Sequence, residues 1–166
     1  EINCQNLTVM LDASGSLPAG QLGFAWTTQG GNIISGQNTA TPQVDSAGVY
    51  TVVITNLLTQ CTASGSVTVT RNANIPTAIA GLDTTLTCVR NSLTLSGLGS
   101  SVGPGITYQW TTPTGNIVAD ETTLSPEINA PGIYTLTVED TGNNCLVSDA
   151  VVVAMDTLHP TAAIDA

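Results

Sequence analysis

Four cysteines are the residues of this chain whose type and spacing most directly suggest chemistry. Cys4 and Cys61 lie 57 positions apart, and Cys88 and Cys145 lie 57 positions apart as well. One pair in each half of the chain predicts one disulfide per domain, Cys4 with Cys61 and Cys88 with Cys145, formed in an oxidising compartment. Closing a loop of that length would stabilise a domain by about 4 kcal/mol in the chain-entropy model.

A zinc ion held by the four thiolates is the alternative use of these cysteines. Structural zinc sites draw their ligands from short spacings such as C-x-x-C. The sequence contains no such spacing. Disulfides are therefore the favoured interpretation, and zinc is the alternative that stays open.

Oxygen-bearing side chains near the predicted domain junctions suggest a second kind of site. Asn72, Asp83, Asp156 and Asp165 flank the links between domains, and calcium prefers such hard oxygen ligands. A cation shared between neighbouring domains would stiffen a chain of them. No calcium-loop spacing is present and the corresponding residues differ between the two halves, so these four are only candidates. No other cofactor is expected.

No group of residues in the sequence forms a catalytic constellation. His159, the single histidine, stands just before a proline in a linker, where we expect a solvated imidazole. Asp120 and Glu121 are neighbours, and neighbours on a strand point to opposite faces, so we expect two solvated surface charges. The sequence therefore predicts no catalytic residue and a protein that is not an enzyme.

Two tryptophans offer a surface for stacking against sugars. Trp26 and Trp110 each lie in a predicted strand, two residues after Phe24 and Tyr108 respectively. Alternate aromatic residues on a strand share one face and fill a core well. Burial of both tryptophans is therefore expected in preference to a role in sugar binding.

The charge of the chain limits its partners. It has 12 acidic residues, two arginines and no lysine, giving a formal net charge of -10 and a pI near 4.1. Nucleic acids and anionic membrane surfaces would repel such a protein. No run of 18 apolar residues is present, so we expect no membrane insertion by this segment.

The two halves of the chain are copies of one another. Superposing the sequence on itself with an offset of 84 needs no gap from Glu1 to Leu82, and it aligns cysteine with cysteine and tryptophan with tryptophan. The repeat predicts a first β-sandwich over 1–73, a linker and the start of the second repeat over 74–83, a second β-sandwich over 84–157, and the start of another linker over 158–166.

Alternating apolar and polar residues predict strands and no helices. Residues 48–56 and their copy 132–140 have the two-residue period of a strand with one buried face, and we expect both to be central. The proline in residues 41–44 predicts an edge strand there. Strand signals recur every 8 to 12 residues or so, which is typical of an all-β sandwich.

The order of these motifs resembles a known repeat. From Pro76 to Asp156 the chain contains Pro-Thr-Ala-x-Ala-Gly-x-Asp, a Cys, Tyr-x-Trp-Thr-Thr, Gly-Asn-Ile, Ser-Pro, Gly-x-Tyr-Thr-Leu-x-Val and a second Cys. This resembles the PKD-like or immunoglobulin-like repeats of very large surface proteins from gliding bacteria. The resemblance implies two tandem immunoglobulin-like (PKD-like) β-sandwich domains of about seven strands each. The family motif is structural and carries no ligand-binding residue.

The same resemblance implies covalent sugar at three positions. Asp45-Ser46-Ala47, Asp83-Thr84-Thr85 and Asp156-Thr157-Leu158 are similar to the O-glycosylation signal of this bacterial group. The acceptors would be Ser46, Thr84 and Thr157. The alternative is an aspartate in a turn that binds nearby backbone groups.

The resemblance also implies a secreted, extracellular protein attached to the cell surface. We expect a structural tile in the stalk or filament of a large bacterial adhesin that mediates attachment to surfaces or other cells. Each disulfide would limit how far a stretched domain extends. Its partners would be neighbouring repeats of the same chain and, where Thr51 and Val53 form a flat face, identical chains in a fibre bundle. A glycan-binding module attached to a secreted enzyme is the alternative.

Overall fold

The structure, a computed structural model, describes residues 1–18 and 20–158 and divides into two compact units. Unit 1 is Glu1–Asn74 and unit 2 is Ile75–Ala166. The solvated histidine expected at His159 and the calcium candidate Asp165 lie outside the described residues, as does all of the predicted segment 158–166 except Leu158.

Within the described residues the chain forms thirteen strands and no helix. Unit 1 contains β1 (Val9–Met10), β2 (Leu22–Gln29), β3 (Ile33–Ser35), β4 (Gln43–Val44), β5 (Gly48–Asn56) and β6 (Thr62–Val69). Unit 2 contains β7 (Thr84–Thr87), β8 (Leu93–Thr94), β9 (Ile106–Thr111), β10 (Ile117–Ala119), β11 (Glu127–Ile128), β12 (Gly132–Asp140) and β13 (Cys145–Asp156). No helix that could span a membrane is found there.

Each unit is built from two sheets with the core between them. In unit 1 the sheets have the strand orders β1-β4-β3 and β2-β5-β6, and in unit 2 β10-β11-β8 and β7-β13-β12-β9. Apolar residues from both sheets of each unit form one buried cluster, which contains Trp26 and Tyr50 in unit 1 and Trp110 and Tyr134 in unit 2. The predicted fold class, two tandem immunoglobulin-like β-sandwiches, is confirmed.

The repeated strand is central, as its sequence predicts. β5 pairs with β2 on one side and with β6 on the other, and β12 likewise pairs with β9 and β13. Tyr50 and Val52 are buried while their neighbour Val53 is 38% exposed. The alternation in the sequence therefore reports the buried face of the strand correctly.

The edge position expected for the proline-bearing strand is wrong. β4 lies between β1 and β3, and β11 lies between β10 and β8. Pro42 stands one residue before β4, where no N–H is required, and its carbonyl oxygen accepts a hydrogen bond from the Leu11 N–H at 2.9 Å. Proline lacks only the donor, so it is compatible with a central strand that begins immediately after it.

A buried tyrosine hydroxyl connects the two sheets in each unit. The Tyr134 hydroxyl donates to the Ala130 carbonyl at 2.6 Å and accepts from the Asn116 N–H at 3.0 Å. Tyr50 makes the equivalent bonds in unit 1. A Cβ at Gly115 would collide with the Tyr134 hydroxyl, so the tyrosine requires the glycine. This contact explains why both repeats keep Gly-Asn-Ile and Gly-x-Tyr.

Replacing Tyr134 with phenylalanine is expected to destabilise unit 2 by about 1–3 kcal/mol, because it leaves an N–H and a carbonyl without their partner. Urea unfolding followed by Trp110 fluorescence in a Trp26→Phe background measures the loss. Tyr108→Phe is the control, since that half-buried hydroxyl donates only to the Ser101 carbonyl. Equal losses for the two variants would contradict the role given to Tyr134.

Candidate functional site

The cysteines do not have the states that their spacing predicts. Cys4 and Cys145 are disulfide-bonded, whereas Cys61 and Cys88 are exposed free thiols. The predicted pairs Cys4 with Cys61 and Cys88 with Cys145 are therefore not formed in this structure.

The strand register of unit 2 explains why its two cysteines do not pair. β7 runs parallel to the last part of β13, with Thr87 opposite Asp156, and Cys88 follows directly. Cys145 is the first residue of β13, so about 11 residues of extended chain, or roughly 36 Å, separate the two cysteines. A disulfide requires Cα atoms within about 7 Å.

The same separation occurs in unit 1. Ile2 forms a parallel bridge with Arg71, two residues after β6 ends, and Cys4 lies further along in the same direction. Cys61 precedes the first residue of β6, roughly 33 Å from that bridge. Both halves have the spacing of 57 residues because they are copies of one another. The spacing does not indicate that the two cysteines of a half are in contact. In each unit the two cysteines lie at opposite ends of the sandwich.

The calcium candidates of the second repeat are separated and already bonded. The Asp83 Oδ1 accepts a hydrogen bond from the Val152 N–H at 2.8 Å, and the Asp156 Oδ1 accepts one from the Leu158 N–H at 2.9 Å. Asp83 precedes β7 whereas Asp156 pairs with its last residue, so roughly 13 Å of strand separates them. Among the described residues no group of three or more His, Cys, Asp or Glu could hold a metal ion.

Asn72, the calcium candidate in unit 1, is used in the backbone pairing of that unit. Its N–H donates to the Ile2 carbonyl at 2.9 Å, beside the bridge between Ile2 and Arg71. This bond holds the first residues of unit 1 against its last strand. Asn72 therefore has a structural role in the described backbone.

The three predicted sugar acceptors differ in how their hydroxyl groups are placed. Thr157 is exposed and follows the end of β13, whereas Thr84 is half-buried within β7. The half-buried Ser46 donates its hydroxyl proton to the Asp45 Oδ1 at 3.0 Å. Thr157 is the acceptor that a transferase would reach most easily.

Asp45 lies in a hydrogen-bonded cluster that has a neutral counterpart in unit 2. The Asn32 side-chain amide donates to the Asp45 Oδ1 at 2.9 Å, and Ser46 donates to the same oxygen. Both bonds lower the pKa of the Asp45 carboxyl, and the bond from Asn32 has the larger effect. In unit 2 the Asn116 amide makes the same bond to the Asn129 side-chain oxygen at 2.7 Å.

This difference predicts a different acid response in the two units. A lowered folded-state pKa gives stability that is present above the unfolded carboxyl pKa of about 3.9 and is lost as the pH falls below it. Asp45→Asn should reduce the acid sensitivity of unit 1, and Asn129→Asp should add acid sensitivity to unit 2. Calorimetric melting at pH 2 to 5 measures both. Unchanged melting profiles in both variants would contradict the assignment.

The aromatic and acidic side chains that the sequence raises as candidates take structural or surface positions. Trp26 and Trp110 are buried, as expected, and each indole N–H donates to a backbone carbonyl, at 2.9 Å and 3.0 Å respectively. Asp120 and Glu121 are exposed, as expected. All six aromatic side chains of the chain are buried or half-buried, so none presents an open face for stacking.

An open groove, which the sequence does not indicate, lies on unit 1 between β1 and β6. Its volume is about 400 Å³, and it is lined by Met10, Leu11, Asp12, Ala13, Trp26, Val52, Gly65, Ser66 and Val67. Val67 is 43% exposed in this groove. We call it the β1–β6 groove. Asp12 is the one titratable residue in its lining, and apart from Asp12 and Ser66 the lining residues are apolar or glycine.

The equivalent surface of unit 2 is filled by residues 77–81, which we call the 77–81 segment. Ala80 of this segment is 1% exposed and belongs to the buried cluster of unit 2. Val151, the counterpart of Val67, is also 1% exposed. The sequence predicts that residues 74–83 are a linker and the start of the second repeat. The signal that could have revealed it is the recurrence of Pro-Thr-Ala at Pro76 and Pro160.

Five hydrogen bonds hold the 77–81 segment in place, one of which the Ser100 hydroxyl donates to the Ile79 carbonyl at 3.3 Å. The Ser101 N–H donates to the Thr77 carbonyl at 2.9 Å, and the Thr77 N–H donates to the Ser101 hydroxyl at 2.9 Å. The Ile79 N–H donates to the Ser100 hydroxyl at 2.9 Å. The Ala80 N–H donates to an Asp149 carboxylate oxygen at 2.8 Å.

Comparison with known proteins gives fold likenesses only. No protein-family model matches the chain, and no curated protein matches it either. One similar solved structure is the PKD domain from the KIAA 1837 protein, with 25% identity, 51% of this chain and 92% of that chain covered, and a TM-score of 0.39.

Two multidomain structures are similar over more of the chain. The three N-terminal domains of the highly immunogenic outer capsid protein of bacteriophage RB49 share 17% identity, with 85% of this chain and 51% of that chain covered and a TM-score of 0.41. The N-terminal four Ig domains of Dscam1 isoform 1.9 share 13% identity, with 94% and 45% covered and a TM-score of 0.35. The chain thus spans about half the length of these two. Because these TM-scores lie below 0.5, we base no functional conclusion on them.

Proposed function

We propose that the chain is two consecutive structural tiles of a large extracellular adhesin or fibre at a cell surface, with a mechanical and non-enzymatic role. The observation that carries this proposal is the parallel pairing of the first and last strands of unit 2. Thr84 to Thr87 of β7 lie opposite Val153 to Asp156 of β13.

This pairing is suited to bearing tension. A pull on the two ends of unit 2 moves β7 and β13 in opposite directions along their lengths. The hydrogen bonds between the strands then resist together, whereas the bonds of a hairpin pulled open from its end break one after another. A tile in a stalk is pulled from end to end, so it needs hydrogen bonds that resist together.

The surface and the oxidation state agree with a position outside the cell. Cys4 and Cys145 are disulfide-bonded, and disulfides persist in oxidising compartments. The net charge of -10 keeps such a chain soluble and away from nucleic acid and anionic lipid. Neighbouring repeats are its proposed partners, and Thr157 is the proposed acceptor for sugar.

Association of identical chains into a bundle is a further part of this proposal. Val49 and Val53 of β5 are 39% and 38% exposed, and they lie on the outward face of a central strand. Their counterparts on β12 are Ile133, which is also exposed, and Thr137. A flat β face of this kind can pack against a second copy. A glycan-binding function has no exposed aromatic residue to support it.

The mechanical role predicts that unit 2 resists force differently in two directions. Unit 2 is pulled in a reducing buffer, so that no disulfide carries load, either through handles at Ile75 and Leu158 or through handles at Pro131 and Leu158, which flank the open end of the β12–β13 hairpin. The first geometry shears β7 against β13, and the second opens the hairpin of β12 and β13. We expect a higher unfolding force in the first. An equal or lower force would contradict the proposal, and binding of the chain to a glycan array would favour the alternative.

A further inference from the structure

The β1–β6 groove is open in unit 1, and the mechanical role proposed for the tiles does not use it. Its counterpart in unit 2 is closed by the 77–81 segment, and the repeat offset of 84 places the corresponding positions before Glu1, outside the sequence. Val67 and Val151 are the same residue type on equivalent strands, yet one is 43% and the other 1% exposed. The difference lies in the covering segment and not in the strand.

We propose that the β1–β6 groove is a docking site for an extended segment of the type Pro-Thr-Ala-x-Ala-Gly, supplied by another repeat of this kind. The chain itself contains the occupied form of the site, in unit 2, with the hydrogen bonds given above. In unit 2 the segment is held through its backbone by Ser100, Ser101 and the Asp149 carboxylate, and it places Ala80 in the buried cluster. The proposal does not depend on the mechanical role of the tiles.

Unit 1 keeps only part of the set of groups that holds the segment in unit 2, because Leu17 replaces Ser101 and lacks its hydroxyl. Ser16 is the counterpart of Ser100, and its hydroxyl now donates to the Ala13 carbonyl at 2.6 Å, from which it could turn to the segment. β6 is the last strand of its sheet, so its outer edge has no neighbouring strand. Gly65 stands where unit 2 has Asp149, which removes one hydrogen bond and enlarges the groove.

The experiment adds a copy of residues 76–84 directly before Glu1 of the full chain, which keeps the repeat offset. We expect hydrogen exchange of the β6 amides, followed by mass spectrometry, to slow about tenfold or more, and the melting temperature of unit 1 to rise by about 5 °C or more. The β13 amides should be unchanged and are the internal reference. Unchanged exchange in β6 would overturn the proposal.

Two variants separate docking from a general effect of added residues. An extension with aspartate at the position copied from Ala80 should lose the protection, since a charge would enter the apolar groove. Gly65→Asp should increase the protection given by the correct extension, because it restores the carboxylate that Asp149 provides in unit 2. In the chain without an extension, Gly65→Asp should not protect β6. Equal protection by the correct and the aspartate-bearing extension would refute the docking.

Discussion

The packing of one strand per unit between two others is the constraint on which both sandwiches depend. β5 and β12 each pair with neighbours on both sides, β12 with β13 over Gly132–Asp140 and with β9 over Thr135–Asp140, so their outward and inward residues are fixed in alternation. The inward residues include the tyrosine whose hydroxyl reaches the opposite sheet. Once that tyrosine is buried, the glycine beneath it and the turn that it binds have little freedom to vary. Two sequences that differ at most surface positions therefore keep the same interior.

The features that the sequence predicts well are those with a local cause. Alternation along a strand and the spacing of Phe24 from Trp26 follow from the geometry of a single element, and both indicate burial correctly. The two-domain repeat is visible because the copies align without a gap. The central position of β4 was harder to predict. From the sequence alone, a proline one residue before a strand cannot be distinguished from a proline within the strand, and only the second is confined to an edge.

The features that the sequence does not predict depend on which strands lie side by side. The cysteine spacing is a repeat distance, and only the parallel register of β7 with β13 reveals that the two positions lie at opposite ends of a sheet. The 77–81 segment has the composition of a linker, and only its contact with Asp149 and the core reveals that it belongs to the domain. The cysteine pairing and the position of the 77–81 segment both depend on contacts between residues distant in sequence. Periodicity and composition are local properties, so they cannot predict either one.

The open edge of β6 has a consequence for how such molecules behave in concentrated solution. The strand Thr62–Val69 contains no charged residue and no proline, which are the features that usually discourage edge-to-edge aggregation. In unit 2 the same edge is covered by β7 and carries Asp149. Pairing of this edge with the same edge of a second chain would occupy both edges, so association by this route ends at a two-fold symmetric dimer.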